Sequence, residues 1–235
     1  MYLPEVPEWE EGHRPLIGRL AGLLLLVAIA VSFVDPADFS TRLFANLSTQ
    51  EIVELAAHHG SGISVMGFVD GLQNSLIAAA IVLLVRLVRG NGVFATGAYV
   101  SAAAFMAIGW VKAGTTWAVA ETAAQGGSDA GVVALFKLVH AMTFTDGFCF
   151  GIALSCVSAL ILLTRLLPAP IAWLGLVAAL VHFFAIPAQL LLTGSEAGIT
   201  GPISVVFAIA WLVVMCALLL VKPVWEPKAK TSTAS

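Results

Sequence analysis

Apolar residues along this chain fall in runs close to the roughly 20 residues that a helix needs to cross a bilayer core. Short polar stretches separate them. Six such runs are read: Leu16 to Val34, Gly67 to Val88, Val93 to Trp117, Asp146 to Leu167, Ile171 to Leu192 and Pro202 to Val221. The pattern predicts an all-α fold, a polytopic transmembrane helix bundle of six spans with peripheral amphipathic helices on its outer side.

The breaks between runs carry turn signals. Asp35-Pro36 ends the first run. Arg86 to Gly92 makes a tight basic turn, and Glu121 to Asp129 makes an acidic loop with Gly126 and Gly127 inside it. Pro168 and Pro170 turn the chain again. Pro187 predicts a kink in the fifth span, and Pro202 suits the first turn of the sixth.

Two stretches are too polar, or too long, to be spans. Ser48-Thr-Gln-Glu51 has the form of a capping box, in which hydroxyl and carboxylate satisfy free N–H groups at a helix start. A short surface helix is expected there, with Ile52, Val53, Leu55 and Ala56 on its apolar side. The stretch from Ala130 to Leu167 is helix-compatible throughout, yet at 1.5 Å per residue it would run roughly 55 Å against a core of about 30 Å. It is therefore divided near Asp146-Gly147. A peripheral helix over Ala130 to Phe144, carrying Lys137 and His140, is expected to precede the fourth span.

Composition agrees with this reading. Hydrophobic residues make up 60% of the chain, charged residues 11%, and the mean hydropathy is +0.98. A soluble domain has about 45–50% apolar and about 25% charged residues. Residues 16–222 are read as one transmembrane domain. Residues 1–15 form an acidic leader, unlike the basic start of a signal peptide, and residues 223–235 form a disordered tail. The net charge of -3 gives no footing for nucleic acid. Cys149, Cys156 and Cys216 lie within apolar runs without metal-ligand spacing, so neither a metal nor a cofactor is expected. His182 lies near mid-membrane, but a two-histidine haem would need a partner at its depth, and His140 lies too far outward.

Basic residues set the orientation. Six spans put both ends on one side, together with Arg14, Arg19, Arg86, Arg89, Arg165, Lys222, Lys228 and Lys230. Only Arg42, Lys112 and Lys137 fall on the other side. The positive-inside rule then makes both termini cytoplasmic, in a bacterial inner membrane.

The candidate chemistry is sparse. Met66-Gly-Phe-Val-Asp-Gly71 and Met142-Thr-Phe-Thr-Asp-Gly147 share one frame. Asp70 and Asp146 therefore head two spans that run the same way, at one depth near the outer surface. Each is read as a helix cap and also as a candidate acid–base residue, since an ionisable group in a membrane marks a site. His140 would assist them. Gln73, Asn74, Lys112, His182 and Gln189 are candidate ligand-binding residues. All but His182 fall near the outer ends of their spans, and the set outlines an outward-opening polar pocket. Taken singly, each would serve as well in a hydrogen bond between helices.

Arg19-Leu-Ala-Gly22, Leu135 to Phe144, Leu166 to Leu180 and Gly201-Pro-Ile203 together resemble a broad group of uncharacterised bacterial multi-pass membrane proteins that share a domain of unknown function. The resemblance implies a multi-pass architecture and a bacterial inner membrane, and no activity. Walker A, HExxH, CxxC and aspartate-rich diphosphate motifs are missing from the sequence. Two function classes remain. One is a protein that binds an amphipathic small molecule, or a membrane partner such as a second copy, in the outer pocket, with membrane lipids around it. The other is an intramembrane isomerase or cyclase acting on a lipid or isoprenoid, with Asp70 and Asp146 as acid and base.

Overall fold

The computed structural model describes residues 8–34, 47–191 and 197–221, with side chains over 13–34, 47–185, 187–188 and 202–221. Among these residues all regular structure is helical. The helices are α1 (Glu8–Val31), α2 (Thr49–Leu87), α3 (Gly92–Ala124), α4 (Asp129–Thr164), α5 (Ala169–Leu191) and α6 (Ala197–Val221). Each packs on its neighbour in sequence, and α6 closes on α1, so the helices form a ring. Contacts between α2 and α4 cross it.

Five stretches are long and apolar enough to cross a membrane: His13–Val31, Thr49–Leu87, Gly92–Ala124, Asp129–Thr164 and Pro202–Val221. The described side chains of α5 add a shorter apolar helix, Ala169–Ala185. Large apolar side chains such as Leu23, Leu26, Val100, Val177, Phe184, Val206 and Val213 face outward. That is the exterior of a protein whose solvent is hydrocarbon.

Sequence-based boundaries differ from the structure in several places: α1 starts at Glu8, inside the expected leader, α3 runs on to Ala124, and α6 starts at Ala197, which puts Pro202 inside it rather than in its first turn. Two further differences join elements that the sequence separates. The capped helix starting at Ser48 and the second span are one helix, α2, kinked where His59 takes a non-helical conformation (φ −123°, ψ 21°). The capping box itself forms: the Glu51 N–H donates to Ser48 Oγ at 3.3 Å, and the Ser48 N–H donates to Glu51 Oε2 at 2.8 Å. Likewise α4 passes through Asp146-Gly147 without a break. The expected peripheral helices are therefore the N-terminal parts of α2 and α4.

Packing explains the continuity. Ile52, Leu55, Ile63 and Met66 of α2 meet Val119 and Ala120 of α3 and Val132, Val133, Phe136 and Val139 of α4 in an apolar core of their own. At 1.5 Å per residue these three helices run about 50–58 Å, some 20 Å longer than a bilayer core, while α1, α5 and α6 run about 35–38 Å. The excess forms a three-helix extension. Glu54, His58, Glu121, Asp129 and Lys137 are exposed on it.

A larger core holds all six helices together, from Leu25 on α1 to Trp211 and Met215 on α6. Close approach at glycines tightens it. The Cβ of an alanine at Gly22 would meet Leu220 at 3.0 Å, which is where α6 closes on α1. At the opposite end from the extension, the α2–α3 turn is made by Arg89 (φ 52°) and Gly92 (φ 69°), and α4 ends on Arg165 (φ 54°). Arg14 donates from Nη2 to the Leu87 carbonyl at 3.0 Å. The leader before Glu8, Asp35-Pro36, Thr193 to Glu196 and the tail lie outside the described residues.

Candidate functional site

The site lies where the two apolar cores meet. On α2 the shared frame puts Asp70 one turn before Asn74. Gly67 and Gly71 bring α3 close: a Cβ at Gly67 would stand 2.9 Å from the Thr116 side chain, and one at Gly71 would stand 2.9 Å from the Trp110 ring. Lys112 of α3 is thereby drawn inside the bundle, where it is 5% exposed. Its Nζ donates to Asp146 Oδ2 of α4 at 2.9 Å and lies 3.1 Å from Asp70 Oδ2. One ammonium thus ties three helices. A buried charge without such partners would cost several kcal/mol.

Neighbouring polar groups are held in turn. Asn74 Nδ2 donates to the Phe105 carbonyl at 3.3 Å. The bare face of Gly109 makes room for Asn74, since a Cβ there would lie 2.5 Å from Nδ2. Gln73 Nε2 donates to Ser32 Oγ at 2.6 Å, joining α2 to the end of α1. On α5, His182 Nδ1 donates to the Ala178 carbonyl at 2.8 Å, which leaves Nε2 as the acceptor of a neutral ring. Gly147 and Gly151 of α4 admit this histidine, with a Cβ at Gly151 falling 3.2 Å from His182 Cβ.

These residues surround a cavity of about 260 Å³. Asp70, Gln73, Asn74, Lys112, Asp146 and His182 supply its polar wall. Met66, Ile77, Phe105, Phe150, Ala208 and Leu212 supply an apolar one. The cavity is amphipathic and lies inside the ring of helices.

Six of the eight residues singled out in the sequence therefore meet at one cavity. His140 does not line it. It lies six residues before Asp146, about a third of a turn away around the helix, and its ring packs edge-on against Phe144 at 5.0 Å. Gln189 lies on α5, but its side chain is outside the described residues. Ser32, Thr143 and Ser204 also line the cavity, as do Phe105 and Phe150, stacked at 5.2 Å. No motif marks these five; single hydroxyls and phenylalanines in apolar runs carry no positional signal.

Among the described residues no group of three or more His, Cys, Asp or Glu could hold a metal ion, and Cys149, Cys156 and Cys216 are free thiols. Compared with family models, curated proteins and solved structures, the chain matches none.

Proposed function

We propose that this chain is a six-span protein of a bacterial inner membrane that binds an amphipathic small molecule in its central cavity. The observation that carries the reading is the cavity itself, with an ion-paired polar wall facing an apolar one. A ligand with a polar head and a hydrocarbon body would satisfy both walls. Ligand pockets run from about 300 to 1,000 Å³, so a cavity of about 260 Å³ suits a small single-chain molecule better than a two-chain lipid.

In this reading α5 is the remaining span. Its antiparallel register with α4 supports that, since Gly151 faces His182 and Gly175 faces Ser158. Orientation follows from charge: Arg14, Arg86, Arg89 and Arg165 gather at the end opposite the extension, which makes that end cytoplasmic and the extension external.

An intramembrane isomerase or cyclase is a second reading. One observation favours it: Asp70 and Asp146 reach a common cavity. Against it, Lys112 holds one oxygen of each carboxylate, and His140 stands apart.

Native mass spectrometry tests the binding role. The protein released from maltoside micelles should carry a small-molecule adduct that Ala208→Phe, which fills the apolar wall, removes. Equal adducts in both proteins would overturn it. Val205→Phe, at another point of the same wall, guards against a misfolded Ala208 variant.

A further inference from the structure

The proposed cavity has a charge imbalance that specifies its ligand. Two carboxylates, Asp70 and Asp146, share one ammonium, that of Lys112, and among the described residues no other Asp, Glu, Lys or Arg lines the space. With both carboxylates ionised, these residues bear one negative charge more than they balance among themselves. Lys112 approaches the Oδ2 atom of each aspartate, so each carboxylate keeps a second oxygen. The Asp146 side chain is 9% exposed. Asp70 is the more open of the two, at 19%. His182, with Nδ1 committed to Ala178, presents an acceptor rather than a donor on its other nitrogen when neutral.

From this we infer that the ligand is an organic cation, an alkylammonium whose head is bound by Asp70 and whose hydrocarbon body lies against Phe105, Phe150 and Leu212. This rests on the reading of the cavity as an amphiphile site and adds the sign of the head group. A carboxylate or sulfate ligand would face an already negative wall with Lys112 engaged twice. Like charges brought together in a space shielded from water repel strongly. An ammonium would complete a two-against-two arrangement, and its hydrogen bonds to Asp70 would be charge-assisted. Asp146 would act through Lys112, as a positioning residue.

The test compares three probes that differ only in the head: octylammonium, octanol and octanoate. Binding is measured calorimetrically on the full chain in neutral maltoside micelles, for the unmodified protein, Asp70→Asn and Ala208→Phe. Octylammonium should bind saturably and about tenfold or more tighter than either competitor. Asp70→Asn should remove that preference and leave octanol unchanged, and Ala208→Phe should weaken all three. Octanoate binding as tightly as octylammonium would overturn the inference, as would an octylammonium affinity indifferent to Asp70→Asn in a variant that elutes and melts like the parent. If octanol and octanoate bind and Ala208→Phe displaces them while octylammonium shows no advantage, the cavity stands and its cation preference falls. If no probe binds saturably, both readings fall. Repeating the titration in phosphatidylethanolamine nanodiscs separates two sources of the ammonium. Competition by the bilayer assigns it to a lipid head group, and an undiminished affinity assigns it to a free amine.

Discussion

Lys112 Nζ stands 2.9 Å from Asp146 Oδ2, across 34 residues of chain and between two helices of the ring. Asp70 completes the cluster at 3.1 Å from the same nitrogen. The three groups sit where the six-helix core meets the three-helix extension, with Lys112 and Asp146 buried. That placement gives Lys112 two roles at once. It neutralises carboxylates that would be costly alone, and it fixes the depth at which α2, α3 and α4 meet.

The charge count predicts an asymmetric response to substitution. Lys112→Met leaves two buried carboxylates without a cation and should cost about 3–5 kcal/mol. Asp70→Asn or Asp146→Asn alone leaves one acid with one base, and each should unfold within about 1 kcal/mol of the parent. Combining Lys112→Met with both asparagines should restore most of the loss. Reversible unfolding in mixed micelles reads all four. A single asparagine variant as damaged as Lys112→Met would contradict this balance.

Gly109 is predicted to be needed for the site as well as for packing. An added Cβ would fall 2.5 Å from Asn74 Nδ2 and 2.8 Å from Asn74 Cβ. Gly109→Ala must therefore push Asn74 away from the Phe105 carbonyl, at about 1–3 kcal/mol by the usual cost of overpacking. Asn74→Ala should relieve most of it, because the clash is with that side chain. Additive losses in the double variant would show that the strain lies in the helix backbones instead.

A second close contact predicts the opposite sign. Ser158 Oγ and Trp211 Nε1 are buried without a hydrogen-bond partner, and both crowd the bare face of Gly175. Removing an unsatisfied hydroxyl removes a desolvation cost, so Ser158→Ala should be neutral or stabilising by up to about 1 kcal/mol. Gly175→Ala would drive a Cβ into Ser158 and to 2.7 Å from the Trp211 nitrogen, and should destabilise by about 1–3 kcal/mol. Melting temperatures of the two variants should move apart. A clear loss for Ser158→Ala would reveal a partner for its hydroxyl.

The sequence made some of this legible because certain signals are local. Apolar run length, the Pro and Gly breaks and the Ser48–Glu51 capping box depend on neighbours a few residues apart, and they place the helices and most of the turns. The repeated Met-x-Phe-x-Asp-Gly frame places Asp70 and Asp146 at one depth, and depth also brings in Gln73, Asn74 and Lys112. What run length does not reveal is facing. His140 shares a helix with Asp146 but points from another side of it. Polarity before the second span, and length against bilayer thickness in α4, point to separate surface helices, yet Val119, Val132, Phe136 and Val139 supply a seam that lets whole helices project. Gly109, Phe105 and Phe150 matter through contacts distant in sequence, which no local pattern records.

That projection yields the last prediction. The proposed topology puts the α3–α4 connection at the tip of the external extension and the α4–α5 connection on the cytoplasmic side. Gln125 is exposed at the first, and Ala169 is exposed at the second. In a background with Cys149, Cys156 and Cys216 changed to alanine, Gln125→Cys in intact cells should react with an impermeant maleimide. Ala169→Cys should react only after the membrane is opened. The extension adds a depth test. His58 is exposed on the outer part of α2, whereas Val100 is exposed on α3 at the level of the six-helix core. If polar residues on the extension stand in water, His58→Cys should label as fast as Gln125→Cys, and Val100→Cys, facing hydrocarbon, should resist the reagent even in opened membranes. Labelling of Ala169→Cys but not Gln125→Cys in intact cells would invert the topology. Protection of His58→Cys alone would keep the orientation and bury the outer half of α2 in the bilayer.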